Sequence, residues 1–480
     1  MFIHAVNKKL ILLVFTFFYL INVLSGGGHT DRYDGVEAFL TTESMALKHT
    51  AKLDPTVPSV KSLYFDVNYT VAYHKYIAEG KPFDVNTPLE PVYTVRSLLI
   101  SAVALPFYTL ALVLSVSPLV LVSLFTNSFL IALASVTIFC FSMELYRSAK
   151  IGFALGLVFN VCSFVLPYVT TLWAQPLQAL TLVASLFFIY KSLHHNPYFI
   201  CSYFRMSKDA TGGRGTATGD DENPNNHHIS HISHARRQVQ NKGFYFAGIG
   251  GLLLGLSVFA HPTSLVILPG FLVYSFVEMR KRNMRNFVFL FAVLLTVLFS
   301  VGVVNYIRYH SFTEFGYGYY SSIGVHNEWM GLVGLLISPG AGLFLYFPIS
   351  ILLPWAAKSM MSQNKKRLLY LFVFVIIINW LHAGTVNFWW GEGWGPRYMV
   401  VLLPFITLMV GSLFVGINKN AFLKYSTIAL SAAGFCVALL GALVWSSYDE
   451  SFLVLKQGIG YANTWNVLSW DQMICGKGKC

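Results

Sequence analysis

The sequence predicts an all-α polytopic membrane protein of about eleven transmembrane helices, with its N-terminus in the cytoplasm and its C-terminus outside. Composition excludes an ordinary soluble protein: 11% of the 480 residues are charged and 55% are hydrophobic, whereas soluble domains carry about a quarter charged residues. Apolar segments near the ~20 residues that cross hydrocarbon as a helix recur along most of the chain. Helices are expected because they satisfy their own backbone groups in lipid.

The first predicted span follows Lys8 and Lys9. We interpret residues 1–25 as a retained signal-anchor because many further spans follow; a cleaved signal peptide is the alternative. The predicted spans lie at about 10–24, 118–146, 151–168, 173–190, 244–260, 264–277, 287–306, 330–355, 368–381, 399–415 and 425–445.

Basic residues in the connections determine the predicted orientation. They cluster at 147–150, 191–242, 280–285, 358–367 and 419–424, on the same side as Lys8 and Lys9. The positive-inside rule makes that side cytoplasmic. The predicted organisation is then a signal-anchor at 1–25, an outside region at 26–117, transmembrane helices at 118–192, a disordered cytoplasmic loop at 193–242, transmembrane helices at 243–446 with outside loops 307–329 and 382–397, and an outside tail at 447–480.

Residues 97–114 are apolar but contain Pro106. We interpret them as a membrane-surface helix or a partial insertion, so that 26–117 is an outside loop with amphipathic surface helices. Counting them as a full span would invert the rest of the chain and place most basic loops outside. The formal net charge of +12 does not indicate nucleic-acid binding, because the basic residues lie between apolar segments and do not form one patch.

The richest candidate site lies at 382–398, where the chain returns to the membrane from outside. It contains Trp390, Glu392, Trp394 and Arg397 among several glycines. Tryptophans alone indicate the aromatic belt of the interface, but the glycines and the Glu/Arg pair are not needed to anchor a helix. Arg397 follows Pro396 at a helix start, where its guanidinium could hold a phosphate.

Two aspartates follow the first span directly. A carboxylate of Asp34 or Asp31 at the membrane rim could take a proton from an incoming hydroxyl or amide; solvated loop acids are the alternative. The histidines at 227–234 could bind a metal, although polar loops often carry such residues. No cofactor is predicted with a defined site, and a divalent metal is left open.

Several segments, all on the outside or near it, carry a family resemblance. They are the acidic stretch 31–37, the Pro91–Ser97 start of an apolar piece that ends near Pro106, the Gly250–Thr263 segment, the Ser338–Phe344 segment and the Trp389–Arg397 segment. In this order they resemble a GT-C glycosyltransferase. More narrowly, the chain is similar to the prokaryotic membrane glycosyltransferases related to protein O-mannosyltransferases and to the lipid A aminoarabinose transferase.

The resemblance implies inverting transfer of a sugar from a polyprenyl- or dolichyl-phosphate donor to a lipid, glycan or protein acceptor on the lumenal or external face. It assigns the general base to Asp34, with Asp31 second, and donor phosphate binding to Arg397 with His261 or Arg96. Relatives usually have a basic residue where this chain has His261, and an acid where it has Gln175. They also have a Gly-Pro-Gly near Arg96 that is missing here.

Two other functions remain open at this point. Discontinuous helices near Pro262 and Pro339 also occur in transporters and flippases, and the altered motif positions are compatible with an inactive scaffold of the same fold. The predicted location is a multi-pass membrane protein of the plasma membrane in a prokaryote or of the endoplasmic reticulum in a eukaryote. The sequon Asn68-Tyr69-Thr70 on the predicted outer side agrees with the latter.

Overall fold

A computed structural model describes residues 8–26, 34–54, 56–57, 93–94, 96–194, 224–280, 283–316, 328–385, 393–415 and 420–444, with backbone only for 224–241 and 328. The described part is helical and contains no strand. Its α-helices are α1 (Lys8–Ser25), α2 (Asp34–Lys48), α3 (Leu98–Leu114), α4 (Pro118–Tyr146), α5 (Ala149–Val161), α6 (Gln175–His194), α7 (Pro224–Ala260), α8 (Ser264–Met279), α9 (Met284–Tyr309), α10 (Glu328–Ile337), α11 (Leu343–Tyr346), α12 (Leu353–Ser362), α13 (Lys366–Gly384), α14 (Leu403–Phe414) and α15 (Ala421–Val444). Short 3-10 helices lie at Leu166–Thr170, Pro348–Leu352 and Arg397–Leu402.

Eight helical segments in the described part are long and apolar enough to cross a membrane. They are α1, α4, α6, the last part of α7, α9, α13, the 397–414 segment and α15. The protein is therefore an integral multi-pass membrane protein, as predicted. The remaining predicted spans correspond to the shorter apolar helices α5 and α8 and to the interrupted segment at 330–355.

The connection between α4 and α5 shows how local sequence sets a tight reversal. Arg147 ends α4 in the left-handed region, with φ of 55°. The hydroxyl of Ser148 then accepts a hydrogen bond from the Ile151 N–H and caps α5. Gly156 of α5 faces α1 so closely that a Cβ there would lie 2.8 Å from the Phe18 ring. The first helix is thereby packed against the bundle.

Two predicted spans are not single helices, and for 330–355 the break agrees with the discontinuity expected near Pro339. The 330–355 segment breaks after Ile337, where the Gly342 N–H donates to the Ser338 carbonyl at 2.7 Å, and Pro348 starts a 3-10 helix. The 151–168 segment ends its α-helix at Val161, and Pro167 lies in the following 3-10 helix. Pro339, two residues after Ile337, explains the first break, because a proline lacks the N–H that continues a helix.

The second helix, α2, packs along α3, and both acids that follow Asp34 in it, Glu37 and Glu43, are buried. Polar pairs join the two helices: the Ser101 hydroxyl donates to the Ala38 carbonyl at 3.0 Å, and the Tyr108 hydroxyl donates to Glu43 Oε1 at 3.2 Å. Such pairs satisfy polar groups inside the protein, which permits burial of a polar helix.

Within the predicted loop at 193–242, α7 begins at Pro224, and residues 195–223 lie outside the described residues. A proline is tolerated in the first turn of a helix, where its missing N–H would have no partner. No glycine or proline interrupts residues 225–242, so the helix continues from there into the membrane-spanning part. The predicted tail at 447–480 lies outside the described residues.

Candidate functional site

Three side chains from distant parts of the chain meet in one buried cluster. Asp34 is the first residue of α2, Arg96 precedes the Ser97 cap of α3, and Arg397 begins the 3-10 helix after Pro396. Arg96 Nη2 lies 2.5 Å from Asp34 Oδ1, and Arg397 Nη2 pairs with Asp34 Oδ2. Their side chains are only 12–17% exposed. The structure thus brings together three of the residues predicted for the site.

Glu37 joins this group, although the sequence analysis did not single it out. It lies one helical turn after Asp34, and its Oε2 is 3.5 Å from Arg96 Nε. Its Oε1 is buried and has no hydrogen-bond partner among the described residues. The three-residue spacing from Asp34 was the available signal, because residues i and i+3 share a helix face. We call Asp34, Glu37, Arg96 and Arg397 the arginine cluster.

The two carboxylates of the cluster have opposite pKa shifts. Burial raises the pKa of Glu37 to about 7. The negative charge of Asp34 also raises this pKa, whereas the positive charge of Arg96 lowers it by less than burial raises it. Burial also disfavours the ionised form of Asp34, but the charges of Arg397 and Arg96 outweigh it and hold its pKa below the usual range. Near neutral pH, Asp34 is therefore ionised and Glu37 is poised between its two states.

An aromatic ring packs against the guanidinium of Arg397. Its guanidinium carbon lies 3.8 Å from the centre of the Trp173 ring, a cation–π contact inside the protein. The backbone before Trp173 is fixed by Asn127, whose amide nitrogen donates to the Thr171 carbonyl at 2.8 Å. Arg397 Nε is buried and has no hydrogen-bond partner among the described residues. One donor of this guanidinium thus remains for a ligand.

Trp394 has a different position from the one predicted. It is 1% exposed and packs edge to face against Tyr346, with ring centres 5.8 Å apart. Gly395 follows in the left-handed region with φ of 79°, and a Cβ there would lie 2.8 Å from the Tyr346 ring. This packing shapes the turn that delivers Arg397, so Trp394 positions the cluster from the interior. Trp390, Glu392 and Asp31 lie outside the described residues.

His261 lies at the end of α7, close enough to the cluster for the charges of Arg397 and Asp34 to act on it. Its Nδ1 is 2.8 Å from the Thr263 hydroxyl. Burial, together with the positive charge of Arg397, lowers the pKa of His261 to about 3. The imidazole is therefore neutral near neutral pH. Gln175 is also buried, and its Oε1 has no hydrogen-bond partner among the described residues.

Arg308, at the end of α9, supports Arg96 through the backbone. Its Nη2 donates to the Arg96 carbonyl at 2.9 Å and to the Thr94 carbonyl. The Tyr309 hydroxyl donates to the same Thr94 carbonyl at 2.9 Å. These bonds fix the segment before α3, so that the Arg96 guanidinium points at Asp34.

Comparison with known proteins gives no family. No protein-family model matches the chain, and no curated protein matches it. The described residues also contain no group of three or more His, Cys, Asp or Glu side chains that could hold a metal ion. The side chains of the histidines at 227–234 lie outside the description.

The chemistry open to the cluster follows from its charges. Arg96 and Arg397 carry two positive charges, Asp34 carries one negative charge, and Glu37 is only partly ionised near neutral pH. An anion with several oxygens would balance the remaining positive charge and accept hydrogen bonds from guanidinium N–H groups. A carboxylate with a pKa near 7 beside that anion suits proton transfer.

Proposed function

We propose that the protein is a membrane glycosyltransferase that moves a sugar from a polyprenyl- or dolichyl-phosphate donor to an acceptor on the lumenal or external face, with inversion. The observation that supports this proposal most is the arginine cluster: two buried guanidiniums share one aspartate beside a glutamate whose pKa is about 7. Arginines for a leaving phosphate and a carboxylate for the acceptor proton are the two parts that such a transfer requires.

The leaving phosphate has its binding groups in Arg397 and Arg96. As the bond between the anomeric carbon and the phosphate oxygen breaks, its electron pair stays on the phosphate. Donors already fixed in a buried site stabilise that charge without reorganisation. Trp173 holds the Arg397 guanidinium in place, and Asp34 keeps both arginines aligned before the donor arrives.

The acceptor proton goes to Glu37 in this proposal, which differs from the expectation that Asp34 is the base. Pairs of acids whose environments push their pKa values apart usually divide their roles. Asp34 has both oxygens in ion pairs and a lowered pKa, so it is a weak base; Glu37 is half ionised near neutral pH. Transfer should therefore rise with pH through about 7. A profile without an inflection there would favour Asp34.

The experiment uses membranes containing the full chain and a panel of labelled polyprenyl-phosphate sugars. Wild-type membranes should transfer label to an endogenous acceptor, and Arg397→Gln should reduce the rate by at least about a hundredfold. Arg367→Gln is the matched control, since Arg367 pairs with Glu278 at the other end of the bundle, and it should keep the wild-type rate. Transfer that is equal in all three would indicate a scaffold, and uptake without transfer would indicate a transporter.

A further inference from the structure

A cavity lies beside the arginine cluster, where the end of α9 meets the start of α3 and the turn after α7. The cavity is small and partly open to the surroundings. Its lining combines polar and apolar side chains, among them Arg96, Ser97, Asn305, Arg308, Pro262 and Phe315. Asn305 and Arg308 have no direct role in the sugar transfer proposed above.

Asn305 indicates that this cavity takes a ligand. Its side chain is 2% exposed, and its amide nitrogen has no hydrogen-bond partner among the described residues. A buried amide without a partner is costly, so most such groups in proteins are satisfied by protein, water or a ligand. Because an amide nitrogen only donates, the missing partner carries an acceptor oxygen.

The charges around the cavity indicate an anion. Two arginines line it, and none of the lining residues that the structure describes is acidic. Arg308 is fixed by its bonds to the Arg96 and Thr94 carbonyls. The nearby acids, Asp34 and Glu37, contact the guanidinium of Arg96. A ligand with several acceptor oxygens and negative charge fits this set of donors.

The position of the cavity indicates where that anion comes from. It lies at the end of α9, which is long and apolar enough to span a membrane and is mostly exposed. Tyr306 and Ile307, next to Asn305 in sequence, are 50% and 57% exposed. A ligand here meets apolar surface beside a positive cavity at the end of a span, the level at which lipid head groups lie.

We propose that this cavity binds the phosphate group of an anionic lipid through the Asn305 amide and the Arg308 guanidinium. The inference concerns binding alone and does not rest on sugar transfer. It adds a phosphate site to the one proposed at Arg397.

The test measures binding of radiolabelled farnesyl phosphate to the full-length protein in phosphatidylcholine nanodiscs. Asn305→Asp keeps the size of the side chain and replaces the donor by a negative charge, and it should weaken binding by at least about tenfold. Asn305→Leu removes the donor without a charge and should weaken binding less. Asn286→Asp is the matched control, because Asn286 is also buried on α9 but at its other end; its affinity should stay within about twofold.

The same variants are measured in an Arg397→Gln background, which removes the other phosphate site, and thermal unfolding checks that each variant is folded. The Asn305→Asp loss should persist there. Competition by inorganic phosphate would show that the phosphate group suffices; its failure, with the Asn305 dependence retained, would show that the lipid tail is also needed, and both support the site. Three results would overturn the site: Asn305→Asp binds farnesyl phosphate as tightly as wild type, uncharged farnesol binds as tightly as farnesyl phosphate, or Arg397→Gln alone abolishes binding. A negative sugar-transfer assay leaves this result unaffected.

Discussion

The two ends of the helix bundle use charged residues in opposite ways. At the end that carries the arginine cluster, Asp34 pairs with two arginines, and all three side chains are mostly buried. At the opposite end, Arg367 and Glu278 pair at 3.1 Å with exposures of 58% and 24%. Exposed pairs contribute little free energy, whereas buried pairs must overcome a large desolvation cost.

This difference indicates that the arginine cluster is retained for something other than stability. A hydrophobic replacement of a buried ion pair is often as stable as the pair itself. A chain that keeps Arg397 over Trp173 and leaves its Nε without a hydrogen-bond partner among the described residues has therefore kept binding groups that folding alone does not require. Substitutions at one end at a time separate the contributions of the two kinds of ion pair.

The largest expected effect on stability comes from Asp34→Ala. It leaves Arg96 and Arg397 buried without their shared carboxylate and should lower the free energy of unfolding by about 3 to 5 kcal/mol. Adding Arg397→Met should recover part of that loss, because it removes one of the uncompensated charges. Denaturant unfolding of the purified protein in detergent measures both. If Asp34→Ala is as stable as wild type, the two ends do not differ as described.

The next effect depends on pH. The folded pKa of Glu37 is about 7 and its ordinary value is 4.5, so between these values the unfolded chain ionises Glu37 while the folded chain keeps the proton. Wild-type stability should therefore fall as pH rises across that window, by at most about 1.4 kcal/mol per pH unit from this group. Above pH 7 the contribution is constant.

Glu37→Gln removes this titration, so comparing the variant with wild type gives the contribution of Glu37 to the pH dependence of stability. The stability of the variant relative to wild type should increase as pH rises from about 5 to about 7 and then level off. Melting temperatures of both proteins in the same detergent, measured at several pH values, test this. A constant difference across the range would show that Glu37 has an ordinary pKa and is a weaker candidate for the base.

Much of the fold was predictable because apolar length and basic loops reflect the bilayer directly. The eight membrane-spanning helices coincide with predicted spans, and Asp34 and Arg397 meet as their shared side requires. Burial of α2 was not predictable, because it depends on partners such as the Tyr108 hydroxyl for Glu43. The inward position of Trp394 was missed because a tryptophan of the aromatic belt and one packed under a turn look alike in sequence.

A smaller effect is expected at the turn that delivers Arg397. Gly395→Ala places a side chain at φ of 79° and within 2.8 Å of the Tyr346 ring, so it should cost about 1 to 3 kcal/mol. Gly316→Ala measures the cost of the left-handed backbone alone, since Gly316 has φ of 83° in the connection after α9. If both cost the same, the packing under Arg397 adds nothing to the turn.

The smallest effect is expected at the opposite end. Glu278→Gln removes the partner of Arg367, a half-exposed guanidinium, and should change the free energy of unfolding by less than about 1 kcal/mol. The change should shrink further in high salt, because solvent-exposed charges are screened. Unfolding at low and high ionic strength, compared with the same pair of measurements on Asp34→Ala, separates the two ends. The loss at Asp34 should persist in salt because its partners are buried, and equal salt sensitivity at both ends would show that the arginine cluster is as open to water as the surface pair.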